Sequence, residues 1–175
     1  MTKDQILNLV YESMMFALGL TLPFLTGQIP DIGNMLLPMH LPVLLCGFVC
    51  GYKYGFLVGA TLPVIRSFMF GMPVLFPSAV TMAFELCAYG FITGFVYMKM
   101  KKKNIASVYI SLICAMLIGR IIKGCANAVC YGIISKTYTF GMFISGAFVE
   151  AVPGIILQLI LIPAILISVK KASVK

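Results

Sequence analysis

The feature that most constrains this chain is a succession of apolar runs separated only by short loops rich in glycine, proline and lysine. Of the residues, 61% are hydrophobic and 10% charged, and the mean hydropathy is +1.06. That leaves too little polar surface to clothe a water-soluble core. A helix that crosses a bilayer needs roughly 20 mainly apolar residues, so 175 residues hold about six spans and no separate catalytic or nucleotide-binding domain. The expected fold is therefore all-α, an integral membrane bundle of about six transmembrane helices forming a single domain over 1–175. The lipid bilayer is its first partner.

Breakers place the spans over 6–25, 38–51, 55–70, 78–98, 105–134 and 140–169. Thr26 to Asp31 closes the first, Gly51 to Gly55 forms a tight turn, and Gly71, Met72, Pro73 and Pro77 mark an apolar loop. Lys3, Lys53, the Lys99 to Lys103 cluster and the C-terminal Lys170, Lys171 and Lys175 fall on one side of these spans. An excess of lysine marks the cytoplasmic face, so both termini are expected there, in a cell membrane crossed several times. No small-residue cleavage site follows the first run, which is read as an uncleaved helix. The net charge of +8 comes from these loops, and without a basic face interleaved with aromatics it gives no reason to expect nucleic acid. Cys46, Cys50, Cys87, Cys114, Cys125 and Cys130 lie inside apolar runs without metal-site spacing and are expected as buried free thiols.

Ionisable side chains inside a span are costly and face the interior, a partner or a ligand. Five are read from the sequence, namely Arg66, Glu85, Arg120, Lys123 and Glu150. At about 1.5 Å per residue, Glu85, Glu150, Arg120, Lys123 and Asn127 all fall in the outer half of the membrane. Arg120, Lys123 and Asn127 share one helix face by their spacing of three and four. Two arrangements fit, a structural ion-pair network or a solvated pocket. Two carboxylates against three cations leave an excess that an anionic or zwitterionic ligand would complete. His40, in Pro38-Met39-His40-Leu41-Pro42, reads equally as a packed residue or as a ligand contact at the mouth. The apolar stretch from Phe68 to Phe76 is either packed on the bundle or a lid. Small residues spaced by four, Gly47 with Gly51, Gly55 with Gly59 and Ser13 with Ala17, suit close helix approach.

There is no phosphate-binding glycine loop, HExxH, GxSxG or intramembrane pair of aspartates, so the sequence supports neither catalysis nor a cofactor nor a metal site. A structural membrane protein of the cell-shape type is the alternative to a solute-binding one. A lipid-modifying enzyme lacks a catalytic constellation, and a channel would carry polar residues along its whole depth.

Three segments, LPMHLPVLLCGFVCG from Leu37 to Gly51, GFLVGATLP from Gly55 to Pro63 and GMPVLFPSAVTMAFELCAYG from Gly71 to Gly90, together with the basic loop after the fourth span, resemble the S components of energy-coupling factor (ECF) transporters. The resemblance covers almost the whole chain, through patterns of small and apolar residues. It implies a prokaryotic vitamin-binding subunit that hydrolyses nothing itself and works with a transmembrane coupling protein and two cytosolic ATPases. It also implies a site in the outer half, built from the last three helices and the loops after the first, third and fifth. The substrate-binding candidates are then His40, Arg66, Glu85, Arg120, Lys123, Asn127 and Glu150. In such components an Ala-x-x-x-Ala pair on the first helix faces the coupling protein, and Ser13 and Ala17 stand there, with serine replacing the first alanine. The resemblance further implies that the loaded subunit tips over in the membrane to release substrate inside.

Overall fold

A chain immersed in hydrocarbon has no water to satisfy its backbone, so it closes its hydrogen bonds within helices. The computed structural model describes residues 3–26, 37–135, 137–146 and 151–172, and among these the chain is helical with no strand. The helices are α1 (Lys3–Thr21, continued by a 3-10 turn Leu22–Thr26), α2 (His40–Val49), α3 (Tyr52–Phe70), α4 (Val80–Lys99, preceded by a π turn Leu75–Ala79), α5 (Ile105–Ile133), α6 (Phe140–Ile144) and α7 (Val152–Ala172). Gln5–Phe24, Leu75–Lys99 and Ile105–Ile133 are each long and apolar enough to cross a membrane. The architecture is a helical membrane bundle. At about 1.5 Å per residue, α5 is roughly 43 Å long and overreaches a hydrocarbon core of about 30 Å, whereas the 10 residues of α2 reach only about half of it.

One correction concerns the last expected span. Among the described residues the stretch 140–169 carries two helices, since α6 spans only the 5 residues Phe140–Ile144 and α7 begins at Val152. Thr139 accepts from the Met142 backbone N–H at 3.4 Å and starts α6. Pro153 sits in the first turn of α7, where its missing N–H costs nothing. A second correction concerns the thiols. Cys46, Cys50 and Cys130 are buried, but Cys87 and Cys114 are half-buried and Cys125 is exposed, because they sit on outward helix faces that an apolar sequence does not distinguish from inward ones.

The tightest packing joins α2, α3 and α4, and it is made by glycines. A Cβ placed on Gly90 would lie 2.1 Å from the Gly55 carbonyl oxygen, one on Gly59 2.3 Å from that of Leu86, and one on Gly47 2.6 Å from that of Gly90. Backbone therefore meets backbone across all three helices. Of the expected glycine pairs, Gly55 and Gly59 act together on α3. Gly51 does not act with Gly47, because α2 has ended; Gly51 adopts φ 95° ahead of α3, a conformation that suits glycine. Gly90 and Gly94 on α4, which the sequence reading passed over, face them.

The contacts also fix direction. Gly55 with Gly90 and Gly59 with Leu86 make α3 and α4 antiparallel, and Gly94 against Tyr52 puts the end of α4 beside the start of α3. Exposed Lys53 and the exposed Lys99, Lys101, Lys102 and Lys103 thus share one end of the bundle. His40 and the start of α4 lie towards the other. Gly71, at φ 70°, ends α3 by returning its N–H to the Ser67 carbonyl. The apolar stretch around it, Phe68 to Phe76, is not packed away, since Phe68, Met69 and Val74 are among the most exposed side chains described.

Candidate functional site

Glu85 sits five residues into α4 and is wholly buried. An isolated carboxylate there would be prohibitive, and side chains from three helices converge on it. Lys123 Nζ from α5 lies 2.8 Å from Oε2, and His40 Nε2, from the first residue of α2, lies 3.3 Å from the same oxygen. Tyr89, one turn along α4, donates its hydroxyl to Oε1 at 3.2 Å. The Tyr89 and His40 rings meet edge to face with centroids 5.2 Å apart. Arg120, three residues before Lys123 and wholly buried among these groups, acts electrostatically on the same carboxylate.

The local sequence explains the convergence. A Cβ on Gly119 would fall 2.2 Å from the Tyr89 ring, so the glycine beside Arg120 opens the slot that lets Tyr89 in and draws α5 against α4. Lys123 and His40 approach Oε2 without meeting hydrogen-bond geometry, and His40 Nδ1 has no hydrogen-bond partner among the described residues. Most of the cluster is closed, but the Lys123 side chain is 22% exposed. It is where the buried charges reach the surface of the bundle.

The remaining candidates lie elsewhere. Arg66 is not in this cluster. It donates Nη1 to the Leu20 carbonyl at the end of α1, and its guanidinium stacks 4.9 Å from the Phe24 ring and 5.3 Å from that of Phe70. The guanidinium is held there by one carbonyl and two aromatic faces. Asn127 donates to the Tyr138 hydroxyl at 3.4 Å, in the segment after α5. Glu150 falls outside the described residues, as does the loop after the first helix up to Leu36. Ser13 and Ala17 are both exposed on α1, with the Ser13 hydroxyl returned to the Leu9 carbonyl at 2.8 Å. The sequence reading missed Tyr89, although its position four residues after Glu85 put it on the same face. It also missed Glu12, which lies nine residues into α1, about 14 Å along it, and so adds to the five ionisable residues expected at membrane depth.

The cluster thus joins a buried carboxylate to Lys123, His40 and Tyr89, with Arg120 acting on it electrostatically, at one end of a helical membrane bundle. The family model of the ECF transporter substrate-specific component matches residues 7–166. The chain belongs to that family. No curated protein and no solved structure matches it. A substrate-specific component is a transport subunit rather than an enzyme, and the Glu85 cluster is the most concentrated polar feature described in this one.

Proposed function

We propose that this substrate-specific component captures a water-soluble vitamin or related small molecule bearing a carboxylate or an amide, such as pantothenate, a folate or niacin, at the Glu85 cluster. The observation that carries the reading is Lys123. Its ammonium neutralises a fully buried carboxylate at 2.8 Å while the side chain stays 22% exposed, so an incoming carboxylate can meet a cation already held in place, with Arg120 behind it. With Arg66 withdrawn to α1 the cluster is less strongly positive than its sequence suggests, so a ligand is expected to engage it through one carboxylate.

Uptake would be driven by a separate module of a transmembrane coupling protein and two cytosolic ATPases, which hydrolyse the ATP. The shared position of Lys53 and Lys99 to Lys103 supports a cytoplasmic end opposite the site, with both termini cytoplasmic and the chain crossing the cell membrane several times. Exposed Ser13 and Ala17 suit a face where a partner helix approaches closely. Ser13→Leu should leave folding and ligand binding intact but abolish uptake in cells that also make the coupling module, and unchanged uptake would remove α1 as the docking face.

The direct test is thermal stabilisation of the purified chain by a panel of water-soluble vitamins. A ligand present at a hundred times its dissociation constant contributes about 2.7 kcal/mol, a readily seen shift. A response to one compound identifies the substrate. A folded, ligand-free sample that responds to none excludes the vitamins tested.

A further inference from the structure

Ala151, Gly154, Gln158 and Ile162 lie at helical spacing among the buried residues of α7 and its first flanking residue. α7 packs against α5 and α2, the two helices that carry Arg120, Lys123 and His40. Three of the four are small or apolar and fill space. The fourth is an amide, 1% exposed, whose Nε2 has no hydrogen-bond partner among the described residues.

Buried polar groups are overwhelmingly paired in folded proteins, and one with an unmade donor carries a standing penalty. A leucine would fill the same space between α5, α2 and α7 without that penalty. The amide therefore needs a reason that packing does not supply, and its place on the buried face of α7, the helix packed against α5 and α2, supplies one.

We propose that Gln158 is a ligand-binding residue of this site, donating its amide N–H to a neutral carbonyl of a molecule whose carboxylate is held by Lys123 and Arg120. The inference rests on the substrate-binding reading above and narrows it. The ligand carries a carboxylate and a separate amide-type carbonyl, so that one end is read by charge and the other by a hydrogen bond. His40 adds a condition. With its Nε2 facing Glu85, its Nδ1 is free to accept from a hydroxyl or N–H group of the same molecule.

The test uses the full chain with two carboxylate–amide probes, pantothenate and 5-formyltetrahydrofolate, and one carboxylate without such a carbonyl, nicotinate. Equilibrium binding and ligand-free thermal stability are measured for the wild type, Gln158→Leu and Gln158→Met, the second variant guarding against a shape-specific failure of the first. The expected result is that the wild type binds one of the carboxylate–amide probes, that both variants lose at least tenfold in affinity for it, and that their ligand-free melting temperatures stay level or rise. A loss smaller than tenfold, preferential binding of nicotinate, or melting temperatures that fall in both variants would each overturn the role of Gln158 while leaving the site itself standing. A wild type that binds none of the three overturns the inference together with the site reading on which it rests.

Discussion

The two sides of the bundle are held together by opposite means. In α2, α3 and α4 the contact surface is backbone, reached by removing side chains at Gly47, Gly55, Gly59, Gly90 and Gly94. Across α4, α5 and α2 it is made by large polar side chains, Glu85, Lys123, Arg120, His40 and Tyr89. The first kind of contact loses no side-chain entropy on forming and tolerates no addition. The second carries a desolvation cost that is offset only while every partner is present. One side of the molecule is a fixed slab and the other a set of mutually dependent charges.

The contrast breaks most visibly at Gly90. Gly90→Val places atoms where the Gly55 carbonyl stands and is expected to cost more than about 3 kcal/mol, read as loss of a folded, monodisperse protein in detergent. A folded variant of near wild-type stability would show that the slab can open. Next comes Lys123→Met, which strands the Glu85 carboxylate. Breaking a closed pair costs about 3–5 kcal/mol, and with Lys123 at 22% exposure and Arg120 still present the expected loss is about 2–3 kcal/mol in thermal unfolding. Adding Glu85→Gln should recover at least half of that loss, and two single-variant losses that simply add would mean the charges are not coupled.

Arg66→Met tests whether the third cation belongs to either side. Losing the Leu20 carbonyl bond and two aromatic contacts should lower stability by about 1–2 kcal/mol without altering ligand affinity, and a large affinity loss would return Arg66 to the site. The smallest effect is expected at Gly132, where an added Cβ meets nothing within 4 Å. Gly132→Ala should raise stability by at most about 1 kcal/mol, and a marked loss would reveal a contact beyond the described residues.

These two kinds of contact were not equally legible. Hydropathy and breakers place the long helices because crossing hydrocarbon demands uninterrupted apolar runs, and α5 over Ile105–Ile133 differs by one residue from its expected end. The split of α6 from α7 was hidden, since Gly141, Ser145 and Gly146 interrupt a run that stays apolar throughout. At the site, intramembrane ionisables were found because their cost makes them conspicuous, but cost does not say which partner each one meets. His40 was undecidable from sequence because its neighbours are apolar whether it packs or binds. Tyr89 was overlooked because a tyrosine in an apolar run looks like filler, and Gln158 because an uncharged amide raises no alarm in a count of charges. Gly90 and Gly94 carried a readable spacing of four. Their meaning needed the facing glycines of α3, which only the antiparallel register supplies.

The glycine slab also bears on how such a subunit can change over evolutionary time. At Gly47, Gly55, Gly59 and Gly90 every single substitution adds atoms against a neighbouring backbone, so small adaptive steps are closed there. Positions such as Lys123, Asn127 and Gln158 can each be exchanged for side chains of similar size without touching the slab. Adaptive change would therefore fall on side chains outside the slab, and the glycine contacts of α2 to α4 would be inherited intact as an old chassis.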